Sequence, residues 1–277
     1  MTKVFRCVLC ILPLLFFAPR SGLADTAFRL GVAPHTSARV IVEMYQPLRL
    51  HLEKALAMPV EIITAPDFTE FARRALAQDY DLAITTGHQA RLLETDAQYA
   101  PLLTYQADFR AVALVAGNSP IKTVAALRGS KVLGLSQTSL VTLWGQHWLK
   151  SNGLGSVGMD YVSASDSVAR LLLAGQASAG FTSLANYQQL APAIQSQVRF
   201  LAISEPMAGR VYALNKRMHA VHDKIDSALW AFADSPEGKQ YFEKFKLEGY
   251  RKLKPRELEK MEPYAVEVRQ FLKSTPK

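Results

Sequence analysis

Three short polar stretches each follow an apolar run and precede a helix-like one: Pro34-His35-Thr36-Ser37, Thr85-Thr86-Gly87-His88-Gln89 and Ser136-Gln137-Thr138-Ser139. Hydroxyls and free backbone N–H groups at a helix start make an uncharged cradle for an oxyanion, each charge-assisted bond there contributing about 1.5–3 kcal/mol. The candidate ligand contacts are therefore His35, Thr36, Thr85, Thr86, His88, Gln89, Ser136, Thr138 and Ser139. The imidazoles of His35 and His88 would favour anions increasingly as they gain protons with falling pH. Serine and threonine are also ordinary helix N-caps, so one such stretch decides little. Three at equivalent strand ends point to a site. With hydroxyls at a partly solvated rim, Thr138→Ala combined with Ser139→Ala is expected to weaken binding and spare the fold.

Other chemistry finds little support. Gly153-Leu-Gly-Ser-Val-Gly158 has the letters of a dinucleotide fingerprint, but it follows a helical run and precedes a strand, the reverse of what phosphate cradling requires. It reads as a helix stop and loop. His219 and His222 have metal-ligand spacing without a nearby third ligand, and read as a surface pair. No serine sits in a Gly-x-Ser-x-Gly elbow, and no cysteine lies beyond Cys10. The expectation is a binding protein with no catalytic residue, no metal and no cofactor.

Short apolar runs alternate with longer helical ones along the chain. Strands are predicted at 28–32, 60–64, 82–85, 111–116, 131–135, 159–162, 179–182, 198–203 and 210–214, and helices at 38–57, 68–77, 140–152, 168–174 and 184–190. Alternation of this kind builds βαβ units and mainly parallel sheets. Asp67 with Glu70 three residues later forms a capping-box variant; Gly175 stops the helix ending in Leu171-Leu172-Leu173; Pro47 should kink or split the first long helix. After residue 214 further helices are expected at 224–233, 239–246 and 257–272, with no further strand. The domain break is placed at Gly117-Asn118-Ser119-Pro120. A C-terminal part with one strand cannot stand alone, so it should return to the first block, leaving two lobes, two crossings and a ligand cleft between them.

The N-terminus carries Lys3 and Arg6, an apolar run from Val8 to Ala18 and the small-residue approach Gly22-Leu23-Ala24, the pattern of a secretory signal peptide over residues 1–24. Its removal would take both cysteines and leave 29 basic against 24 acidic residues, a net of +5. A cysteine-free exported chain suits the bacterial periplasm. The basic residues of the tail alternate with acids, as on a solvated helix face rather than a nucleic-acid surface.

The segments "RLGVAPHTSARV", "QPLRLHLEKAL", "DFTEFARRALAQDYDLAI", "RAVALVAGNSPIKTVAALRGSKVLGLSQTSL" and "ARLLLAGQASAGF" follow one another in an order that resembles the PhnD-like phosphate, phosphite and phosphonate periplasmic binding proteins of ABC importers. The resemblance implies an α/β, type II-like fold. Each lobe would be a mainly parallel sheet flanked by helices: lobe 1 from residues 25–116 and 203–277, lobe 2 from 117–202. It implies phosphonate oxygens held at the helix start carrying Ser136, Thr138 and Ser139. Where the family often has a ligand-facing histidine, this chain has Ser165 followed by Asp166, and an acidic residue usual near Thr182 and Ser183 is missing. The implied partners are a small, anionic ligand and an inner-membrane ABC permease, with docking on a histidine kinase as the alternative. The implied state is a monomer.

Overall fold

The computed structural model describes residues 27–162 and 165–275; the expected signal peptide lies outside them. The chain runs β1 (Phe28–Val32), α1 (Ala38–Leu56), β2 (Val60–Ile63), α2 (Phe68–Leu76), β3 (Leu82–Thr86), α3 (Gly87–Ala97), β4 (Ala100–Tyr105) and β5 (Ala111–Ala116). It continues with β6 (Lys131–Gly134), α4 (Leu140–Ser151), β7 (Gly158–Tyr161), α5 (Ser165–Leu173), β8 (Ala179–Ser183), α6 (Leu184–Gln188), α7 (Pro192–Gln195) and β9 (Val198–Ile203). The last part is β10 (Arg210–Leu214), α8 (His222–Asp234), α9 (Pro236–Phe245), β11 (Tyr250–Arg251) and α10 (Glu262–Ser274).

These strands form two sheets, ordered β11-β4-β10-β3-β1-β2 and β7-β6-β8-β5-β9. Parallel pairing, which needs a helical crossover, joins β2-β1-β3 in one and β7-β6-β8 in the other. The remaining strands add antiparallel, so each sheet is mixed rather than mainly parallel throughout. The placement of β5 corrects the expected domain break. It pairs with β8 and β9 in the second sheet, so the first crossing is residues 106–110, and Gly117–Pro120 is a turn within the second lobe. The return crossing is residues 204–209. The two crossings touch through an antiparallel bridge between Phe109 and Met207.

Local signals act as their chemistry requires. Asp67 accepts the Glu70 N–H at 2.9 Å, and Gly153 and Gly175, at φ +71° and +69°, end α4 and α5. Helix α1 runs unbroken through Pro47 instead of splitting, because Ile41, Met44, Tyr45, Leu48 and Leu52 bury one continuous face against the first sheet on both sides of the proline. Strands β4 and β11 were not expected; β11 exists by pairing Tyr250 with Tyr105 of β4. Among the described residues no helix is long and apolar enough to cross a membrane.

The first sheet is covered by α1, α8 and α9 on one face and by α2 and α3 on the other. Helix α4 of the second lobe lies against the first: Leu140 packs with Ala90, Ala208 and Met261, and Leu143 with Ala72, Leu92, Ala265 and Val268. His147 on α4 also pairs with Glu267 of α10 and stacks on Tyr264 at 4.7 Å.

Candidate functional site

Strand β3 passes into α3 with no intervening loop. Thr86 is the N-cap and Gly87 the first helical residue, which sets His88 in the first turn, aimed at the second lobe. Its Nε2–H donates to the Thr138 carbonyl oxygen at 2.9 Å, while Nδ1 accepts from the Thr86 hydroxyl at 3.1 Å. The ring is thus a neutral imidazole with both nitrogens satisfied. Burial, opposed by the bond to Thr138, holds its pKa down at about 4. Thr138 Oγ1 meets Thr69 Oγ1 of α2 at 3.0 Å. Beneath this, Thr85 Oγ1 donates to Gln89 Oε1 at 2.9 Å, and Gln89 Nε2 donates to the Phe68 carbonyl. Ser139 caps α4, accepting the Thr142 N–H at 3.4 Å and donating to Thr142 Oγ1.

Thr85, Thr86, His88, Gln89, Thr138 and Ser139 are therefore brought together as a buried cluster, in which the His88–Thr138 bond straps one lobe to the other. All six are buried, and each bonds within the protein. This corrects two expectations: the hydroxyls do not sit at a solvated rim, and His88 does not gain protons across the neutral range. Thr138→Ala with Ser139→Ala should accordingly destabilise the ligand-free protein by about 2 kcal/mol, a lost cap plus a lost hydrogen bond. Thermal melts would show a fall of roughly 5 °C; an unchanged melt would mean that the two hydroxyls are not engaged as described.

A second set of polar atoms is enclosed without partners. His35 donates from Nδ1 to the Ala33 carbonyl at 2.9 Å, leaving Nε2 unpaired. Burial and then the Arg210 charge push its pKa well below the usual range, so it is a neutral ring too. Tyr45 OH, Ser136 Oγ and Thr182 Oγ1 are likewise buried and unpartnered. Ser136 follows β6 and Thr182 lies near the end of β8, neighbouring parallel strands of the second sheet. An enclosed hydroxyl costs about 1–3 kcal/mol when nothing satisfies it.

A family model described as ABC transporter, phosphonate, periplasmic substrate-binding protein matches residues 30–258. The chain belongs to this family. Among solved structures, XAC2383 from Xanthomonas citri bound to ATP is 22% identical, covering 88% of this chain and 98% of that one at a TM-score of 0.74. PhnD1 from Prochlorococcus marinus in complex with methylphosphonate is 14% identical, over 89% and 99% of the two chains, at 0.77. The aliphatic sulphonate binding protein SsuA from Escherichia coli is 19% identical, over 91% and 94%, at 0.56. These likenesses show the two-lobed fold. No curated protein matches.

As a member of the phosphonate substrate-binding family the chain is a periplasmic binding component of an ABC transporter, not an enzyme. Of the residues picked from sequence, His35 and Ser136 carry unpaired enclosed atoms, and Thr36 and Ser165 are half-buried at the starts of α1 and α5. The other six form the buried cluster. Sequence reasoning missed Tyr45, Thr182 and Arg210. Tyr45 lies inside a helical pattern and reads as core; Thr182 ends an apolar run just as Thr85 does, a signal that was available. The His219 and His222 pair stays apart from all of this, with His222 Nδ1 2.9 Å from Asp223 on the surface.

Proposed function

We propose that the protein captures a small oxyanion, phosphonate- or phosphate-like, in a cleft between its lobes and delivers it to the permease of an ABC importer. The observation that carries this reading is the pair of neutral, enclosed and unpartnered hydroxyls, Ser136 Oγ and Thr182 Oγ1, at the ends of adjacent strands of the second sheet. Hydroxyls donate to an oxyanion without adding charge, and a bound oxygen would remove the penalty of leaving them unsatisfied. Thr36 and Ser165 complete the cleft in this reading, at the starts of α1 and α5. The ligands named for XAC2383, PhnD1 and SsuA, ATP, methylphosphonate and aliphatic sulphonate, all present anionic oxygens.

Calorimetry of the mature protein against phosphate, phosphite, methylphosphonate, ATP, sulfate and acetate tests this. A dissociation constant in the micromolar range or tighter is expected for at least one phosphorus oxyanion, about −8 kcal/mol. No heat from any of them would overturn the oxyanion assignment.

A further inference from the structure

Arg210 opens β10, where the return crossing meets the first sheet, in register with Thr86 of β3. Arg210 is half-buried, with its guanidinium set among aromatic side chains. Cζ stands 5.9 Å from the Tyr105 ring centroid, Nη1 is 3.9 Å from Met44 Sδ, and Tyr45 and Tyr241 lie close enough to feel its charge. Among the described residues no carboxylate forms an ion pair with it. A buried guanidinium without a counter-charge is costly, and a cation–π contact recovers only part of that.

The surrounding phenols do not all serve the arginine. Tyr105 bonds to Tyr212 at 2.8 Å and to Tyr241, and Tyr212 bonds to Tyr250 at 2.8 Å, so their hydroxyls are engaged with one another. Two polar atoms are left over by these phenols: Tyr45 OH, whose one neighbour is the guanidinium itself, and His35 Nε2, on rings that meet edge to face with centroids 6.1 Å apart. The chemistry of the three differs in a useful way. Arg210 and Tyr45 are donors. His35 spends its N–H on Ala33, so its Nε2 offers only a lone pair.

We propose that Arg210, Tyr45 and His35 form an anion subsite in the first lobe that receives the acidic head of the ligand and selects a head retaining one O–H. Arg210 and Tyr45 donate to anionic oxygens, and His35 Nε2 accepts from the protonated one. Phosphate and phosphonate monoanions carry such a P–OH; sulfate, sulfonate and carboxylate ions do not, and would set an oxygen lone pair against the imidazole lone pair. The inference rests on the capture reading above, and refines it by assigning the charge recognition to three residues of the first lobe and the choice among oxyanions to the single O–H that His35 accepts.

Calorimetry with methylphosphonate, inorganic phosphate, methanesulfonate and sulfate, on wild type, Arg210→Met and Tyr45→Phe, tests it together with melts of the ligand-free proteins. Wild type should prefer the phosphorus acids by at least 100-fold. Arg210→Met should bind them at least 100-fold more weakly while melting at or above the wild-type temperature, because the variant removes an uncompensated cation. Tyr45→Phe deletes a hydroxyl whose one neighbour is Arg210, and should weaken binding about tenfold with little change in melting. Undiminished affinity in Arg210→Met, or a melt below wild type, would overturn the subsite while leaving capture standing. Equal affinity for sulfate would overturn the P–OH selection. Silence of the wild type toward all four anions would overturn the subsite, and the capture reading would fall with it only if phosphite and ATP were silent as well.

Discussion

Acidifying the ligand-free protein from pH 6.5 to pH 4 should remove about 3 kcal/mol of its stability through His88 alone. The ring's pKa is about 4 in the folded protein against an ordinary 6.5. Within that window the unfolded chain takes up a proton that the native ring refuses, so unfolding becomes easier as pH falls; above 6.5 both states hold a neutral ring and the effect vanishes. Each unit of difference is worth about 1.4 kcal/mol, which sets the total. His35, whose pKa is also lowered by burial, adds a loss of the same sign. Asp96, whose pKa is lowered by Arg269, acts lower down, losing its contribution as pH falls through its own depressed value. Denaturant melts of wild type and His88→Gln at half-unit intervals from pH 4 to pH 7 would separate the terms. The variant's stability should depend on pH less steeply between 4 and 6.5. Parallel curves would mean that His88 titrates freely and is not the enclosed neutral ring described. One functional consequence follows: between pH 5 and pH 8 the His88 bond to Thr138 stays intact, so moderate acidification does not release that contact between lobes.

Much of the fold was legible because the central strands of each sheet are buried on both faces and read as largely apolar runs. Strands β1, β5, β9 and β10 occupy the residues expected of them. Strand β4 was not legible: Pro101 sits near its start, and its pairing with β10 shifts register between Tyr212 and Ala213, a tertiary accommodation with no local signature. Which sheet owns β5 could not be read from "AVALVA" either. That choice is made by pairing Val112 with Thr182 and with Ile203, some 70 and 90 residues away. The candidate site divides along the same line. Residue type and strand-end position were enough to bring Thr86, His88 and Thr138 to one place. Their role was not, because a threonine at a helix start reads alike whether it faces water or a histidine 50 residues distant. Arg210 is one of 32 cations in the sequence, and what sets it apart, a guanidinium placed among the Tyr45, Tyr105 and Tyr241 side chains, exists only in three dimensions.

Gly87→Val should lower the melting temperature by roughly 10 °C, a cost of about 3 kcal/mol. A Cβ at this position would stand 2.4 Å from the Ala208 Cβ and 2.7 Å from the Ala208 carbonyl oxygen. Neither atom is the yielding end of a long side chain. Ala208 belongs to the return crossing, whose neighbour Met207 donates its N–H to Phe109 of the first crossing at 2.9 Å, and the Gly87 N–H itself reaches the Ala208 carbonyl at 3.3 Å. Relief thus requires either the α3 terminus or the crossing to move. If α3 moves, His88 moves with it; the bond to Thr138 between lobes lengthens, and the ring loses enclosure, whose lowering of the pKa is the larger effect and outweighs the raising effect of that bond. Gly87→Ala is the finer probe: its single methyl should still destabilise, and Ala208→Gly should rescue part of the loss by removing the 2.4 Å contact while the 2.7 Å contact to the carbonyl remains. The His88 pKa, followed by NMR, should rise from about 4 toward its ordinary value in Gly87→Ala and fall back in the double variant. Full stability and an unshifted imidazole in Gly87→Ala would show that the crossing yields freely. A rise in pKa would instead make Gly87 the point at which the backbone joining the lobes and the side chain strapping them are held in one register.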